Sequence, residues 1–96
     1  MKPSIALEEK RASVRAAASR YRIANPRVFG SVLHGTDRED SDLDLLVDAL
    51  PGASLFDICG LEVELGDLLG VPVHVSTPAE LSPRVREKVV AEALPV

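Results

Sequence analysis

Residues 43–48 read Leu-Asp-Leu-Leu-Val-Asp, a strand-like run that is apolar at nearly every position. A strand of this kind needs cover on both faces, so the chain must build a sheet with other elements packed on it. The rest of the sequence supplies them. Ser4 to Ser19 reads as a helix capped by Ser4, with Leu7, Val14, Ala18 and Tyr21 sharing a broad apolar side. Asn25-Pro26 breaks that pattern, because proline disfavours a helical residue before it. Arg27-Val28-Phe29 is then short and β-like and ends at Gly30-Ser31, followed by a helical turn over Val32–Gly35 and a polar loop through Ser41. After the Pro51-Gly52 turn, Ser54 caps a helix to about Leu69, with Leu55, Ile58, Leu65, Leu68 and Leu69 at helical spacing and Gly70 as its C-cap. Gly60 and Gly66 weaken that helix by about 1 kcal/mol each relative to alanine. Val71–Ser76 is a third strand with Pro72 near its start. Ser82-Pro83 opens a last helix whose apolar stripe is Val85, Val89 and Ala93. The order α-β-α-β-α-β-α describes one α/β (α+β) domain over residues 1–96.

Composition narrows the function. No segment approaches the roughly 20 apolar residues of a membrane span. The aromatic residues are Tyr21, Phe29 and Phe56, with no tryptophan, too few for a platform that stacks bases. A net charge of −4 argues against binding nucleic-acid backbones directly. That average hides two blocks. Lys10, Arg11, Arg15, Arg20, Arg22 and Arg27 occupy residues 10–27 without an acid, and Asp37, Glu39, Asp40, Asp42, Asp44 and Asp48 occupy residues 37–48 against Arg38 alone. They suggest an acidic centre for metal and a basic flank for phosphate or an acidic partner. Cys59 is unpaired and lies in an apolar run, which predicts a small buried hydrophobe in a reducing cytoplasm. The charged N-terminus does not read as an export signal.

The chemistry concentrates in Gly30-Ser31 and Asp42-Leu43-Asp44. Residues two apart on a strand point the same way, so the two carboxylates project together and repel. A divalent cation resolves that repulsion, and Mg²⁺ usually takes one or two carboxylates plus substrate phosphates. Glycine lets the backbone approach a ligand, amides at a helix start favour phosphate, and the Ser31 hydroxyl adds a hydrogen bond. A phosphate cradle ten residues before an acidic pair is what nucleotidyl transfer needs.

Gly-Ser, ten residues, then Asp-x-Asp resembles the signature of the DNA polymerase β-like nucleotidyltransferase superfamily. The small size and Ser41-Asp42-Leu43-Asp44-Leu45 resemble its minimal (MNT) branch, and the run from Val71 to Val96 resembles the tail of these domains. The resemblance implies a small mixed three-stranded sheet packed by about four helices. It also implies ATP as substrate and Mg²⁺ (or Mn²⁺) on Asp42 and Asp44, with the triphosphate on Gly30 and Ser31. Many MNT domains are antitoxins paired with HEPN-domain toxins, and some neutralise the toxin by transferring AMP from ATP to it, which implies a HEPN partner here. The family carries a third carboxylate on the next strand. In this chain His74 stands there, either as a metal ligand or base or as a plain strand histidine in a degenerate site. His34, where relatives often have arginine, reads as solvent-facing. Asp37, Glu39 and Asp40 read as loop solubility residues, and Glu62, Glu64, Asp67 and Glu80 are acids whose placement the sequence leaves open. A catalytically impaired MNT-fold antitoxin that acts by binding is the alternative, and a detached nucleotide-binding subunit of a larger transferase is a third reading.

Overall fold

The computed structural model describes all 96 residues. Strand β2 (Leu43–Ala49) is the centre of the molecule. Leu43, Leu45 and Val47 are fully buried on one of its faces, and alternation sends Asp44, Leu46 and Asp48 to the other. Leu46 is fully buried as well, so both faces are covered as the apolar run requires.

Strand β1 (Ile23–Phe29) pairs antiparallel with β2, and β3 (Val73–Ser76) pairs with it in parallel. Parallel neighbours need a crossover, which α4 (Leu55–Leu69) provides. Ser54 and Asp57 form a capping box at the start of α4, and Gly70 ends it at a left-handed φ of 71°. A two-residue β4 (Leu94–Pro95) pairs with the free edge of β1, completing a mixed sheet in the order β3-β2-β1-β4.

Helices α1 (Pro3–Glu9), α2 (Arg11–Ser19) and α4 cover one face. With the inward side chains of β1, β2 and β3 they build a core of 16 buried residues. The other face is covered in part by a 3₁₀ turn at Pro78–Glu80, which packs against β2 and α5 (Pro83–Glu92). No helix is long and apolar enough to cross a membrane.

Five expectations are corrected. The single helix over Ser4–Ser19 is two: Lys10 leaves helical angles (φ −133°, ψ 28°) and donates to the Leu68 carbonyl at 2.7 Å. The cap of α1 is Lys2 with Pro3 inside the first turn, not Ser4. Strand β1 begins at Ile23 because Asn25 and Pro26 are absorbed as a bulge between the Ala24–Asp48 and Arg27–Leu46 pairs, with Asn25 at a φ of 54°. Strand β4 is a fourth strand where three were expected. It is too short to show a period, and the amide just after it, on Val96, donates to the Pro26 carbonyl at 3.0 Å. Cys59 is exposed rather than buried, because α4 turns Ile58, Leu61, Leu65 and Leu69 inward instead.

Candidate active site

Register assembles the site. On the face turned away from the core, Phe29 of β1 lies opposite Asp44 of β2, and Asp44 lies beside His74 of β3. One lateral row across three strands thus holds the end of β1, the second aspartate and the histidine. Gly30 follows Phe29 with φ 75° and ψ −150°, a region essentially restricted to glycine. A Cβ at this position would overlap a carboxylate oxygen of Asp44. The turn backbone therefore rests directly against the acid, and Ser31, half-buried, starts the short helix α3 (Ser31–His34). The structure brings Gly30, Asp44 and His74 together.

Asp44 is half-buried and Asp42 is exposed. Burial pushes the Asp44 carboxyl above the ordinary carboxylate range, with the imidazole of His74 opposing and the carboxylate of Asp42 adding to the rise. The rest of the acidic block is largely spoken for. Asp48 accepts from Arg27 at 2.7 Å and from Asn25 at 3.1 Å. Glu39 pairs with the N-terminal ammonium at 2.7 Å. Asp37 is not a loop solubility residue: it is buried and accepts the Ser4 amide of α1 at 2.9 Å, which holds its carboxyl below the usual range. Of the four acids left open, Glu62 accepts the Val75 amide, Glu64 pairs with Arg20, Glu80 caps Thr77 and Asp67 lines a groove on α4.

No three His, Cys, Asp or Glu side chains gather into a group that could hold a metal ion. Asp42 lies exposed just ahead of β2 and its charge acts on Asp44; two carboxylates that repel each other fit a Mg²⁺ that keeps its waters and takes its other ligands from substrate phosphates. That donor set suits a metal arriving with its nucleotide.

The expected basic flank is elsewhere. Lys10, Arg11, Arg15, Arg20, Arg22 and Arg27 each bond a carbonyl or acid of this chain. Two other cations, Arg84 and Lys88 of α5, share a cavity of about 370 Å³ with Phe29 and Gly30. His34 also lines it, exposed as expected and bonded to Glu92 at 3.0 Å. Arg84 and Lys88 were legible only as an i, i+4 pair of like charges beside Val85 and Val89, a pattern shared by most exposed helices.

The description of a nucleotidyltransferase domain matches residues 10–96. A protein adenylyltransferase, MntA, of Thermococcus cleftensis is 35% identical over 75 residues, spanning 78% of this chain and 76% of that protein. A candidate protein adenylyltransferase of Methanocaldococcus jannaschii is 32% identical over 77 residues, 80% of this chain and 83% of its own length. Among solved structures, one described as a candidate minimal nucleotidyltransferase superposes with a TM-score of 0.86 at 43% identity, covering 97% of this chain and 95% of that one. A toxin–antitoxin structure with AMP-PNP shares the fold at a TM-score of 0.72 and 22% identity, over 92% of this chain and 70% of that one. With its Gly30 turn, paired aspartates and mixed sheet, this chain belongs to the nucleotidyltransferase domain family.

Proposed function

We propose that this chain is a metal-dependent adenylyltransferase that moves AMP from ATP to a protein hydroxyl, and that it serves as the antitoxin of a HEPN-type toxin. The observation that carries this reading is the contact between the Gly30 backbone and the Asp44 carboxylate. Phosphate cradle and acidic pair become one surface there. Relatives named as protein adenylyltransferases support the adenylyl group and the protein acceptor, and a toxin–antitoxin neighbour supports the toxin partner. The HEPN assignment follows from the MNT resemblance of the sequence.

In this reading Gly30 and Ser31 bind the triphosphate while Arg84 and Lys88 meet its charge from the α5 side. Asp42 and Asp44 hold Mg²⁺ or Mn²⁺. Bound there, the metal offsets charge on the triphosphate and the departing pyrophosphate. His74, beside Asp44 in the register, accepts the proton of the attacking hydroxyl. Label from α-labelled ATP should pass to a purified HEPN partner, and Asp42→Asn with Asp44→Asn should abolish it. An unlabelled partner under both Mg²⁺ and Mn²⁺ defeats the catalytic reading.

One observation favours the binding-only alternative. His74 replaces the family's third acid, and no three-ligand group forms. His74→Asp should then create or strongly raise transfer, whereas a chain already active should change little.

A further inference from the structure

The outer side of α4 carries exposed apolar side chains beside its acids Glu64 and Asp67. With Ile58, Leu61, Leu65 and Leu69 turned inward, helical spacing brings Phe56, Cys59, Gly60, Val63 and Asp67 outward. Phe56 is 88% exposed and Val63 is 66% exposed. Beside them lies a shallow groove of about 620 Å³, walled by Tyr21 and the Arg20-paired Glu64 and floored by Gly60. A Cβ at Gly60 would come within 2.8 Å of the Tyr21 ring, so the missing side chain is what lets the ring pack close. A protruding ring and a groove one turn along the same helix are the two halves of a self-complementary contact.

We propose that two copies of this chain associate through α4 in antiparallel, two-fold fashion, each Phe56 seated in the Tyr21–Gly60–Val63 groove of the other. Charge fixes the register. If Phe56 faces Val63 of the second copy, antiparallel counting along α4 brings Cys59 to Gly60 and carries Asp67 past the other helix's first turn, toward the Pro51-Gly52 turn that precedes it. Asp67 has no ion pair within its own chain, and the exposed Arg22 is hooked onto the Gly52 carbonyl at 3.3 Å. The same pairing therefore meets each Asp67 with the other copy's Arg22, twice by symmetry. An acid at one end of the stripe and a base at the other suit a second copy better than a partner of single charge. Two aromatic knobs contribute roughly 300–500 Å², short of the roughly 1,200 Å² at which stable interfaces begin, so the flanks must supply the rest and the contact is weak. The dimer is thus concentration-dependent. It is independent of nucleotide chemistry, because α4 covers the sheet face opposite the Gly30 turn.

Sedimentation velocity over a hundredfold concentration range tests this. Wild-type mass should rise from monomer toward dimer, and a short bis-maleimide should capture the dimer through Cys59, the chain's single cysteine. Phe56→Glu and Val63→Glu, both at exposed positions, should remain monomeric with unchanged circular dichroism. Asp67→Arg should weaken association at least fivefold, and adding Arg22→Asp to it should restore the dimer. A monomer at every concentration overturns the proposal. So does a dimer indifferent to Phe56→Glu, or a charge swap that fails to rescue. Loss of toxin binding in Phe56→Glu, with wild-type chain monomeric throughout, assigns the surface to another protein and also overturns it.

Discussion

At the scale of single residues, Gly30 and Asp44 act on one another. Gly30 occupies a backbone region that costs other residues about 1–3 kcal/mol, and a methyl there would push against the Asp44 carboxylate. Gly30→Ala should therefore lower stability in chemical denaturation by about 1–3 kcal/mol. It should weaken ATP binding by calorimetry more than an equally destabilising core substitution does. Asp44 carries the opposite sign. Its folded carboxyl holds a proton more tightly than the unfolded chain does. Between the ordinary carboxylate value and the higher folded one, the folded state binds more protons and stability falls as pH rises. Above that window the loss is complete. Asp44→Asn should accordingly melt higher than the parent at neutral pH in metal-free buffer, and the gain should disappear as acid takes the pH below the ordinary carboxylate value. A variant that is less stable at neutral pH would show that Asp44 supports the fold instead of straining it.

Elements show where sequence reading succeeds and where it stops. Strand β2, helix α4 with its Ser54 and Gly70 caps, and the Gly30 turn were legible because each carries its signal locally. Apolar continuity, capping chemistry and a glycine before a helical turn require no knowledge of distant residues. Strand β4, the bulge at Asn25-Pro26 and the break at Lys10 were not, because each is set by a contact far along the chain. Lys10 reaches Leu68, and Val96 reaches Pro26. The site divides the same way. Gly30, Ser31, Asp42 and Asp44 announce themselves by spacing, whereas Arg84 and Lys88 enter only because α5 folds back near the turn. Asp37 is the sharpest case: a residue of the polar loop that accepts the Ser4 amide and so ties α1 to the connection between β1 and β2. Its carboxyl is held low, so it stabilises the fold above the ordinary carboxylate value and loses that effect as pH falls through the lower folded one. Asp37→Ala should cost on the order of 1 kcal/mol, as loss of a helix cap does. Hydrogen exchange should speed up at the first amides of α1 while those of β2 keep their protection. Uniform loss of protection would mean that α1 does not open separately.

The whole molecule is small enough that ligands should visibly control its stability. Only 20 of 96 residues are buried, so the margin of a domain this size is a few kcal/mol. A ligand present at a hundred times its dissociation constant adds about 2.7 kcal/mol. For a domain of about 60–100 residues each kcal/mol moves the melting temperature by roughly 4–8 °C. ATP analogue with Mn²⁺ should then raise Tm by roughly 10–20 °C at saturation. Mn²⁺ alone should do much less, because two carboxylates without phosphates leave most of its coordination to water. The combined shift should vanish in Asp42→Asn with Asp44→Asn and survive in Phe56→Glu. Raising the protein concentration should add its own increment in the wild type and none in Phe56→Glu. The two effects should sum, since the proposed nucleotide and second-copy surfaces lie on opposite faces of one sheet and share no side chain. A full shift from Mn²⁺ alone would mean a metal site complete without substrate, and would remove the division of labour between protein carboxylates and nucleotide phosphates on which the catalytic reading depends.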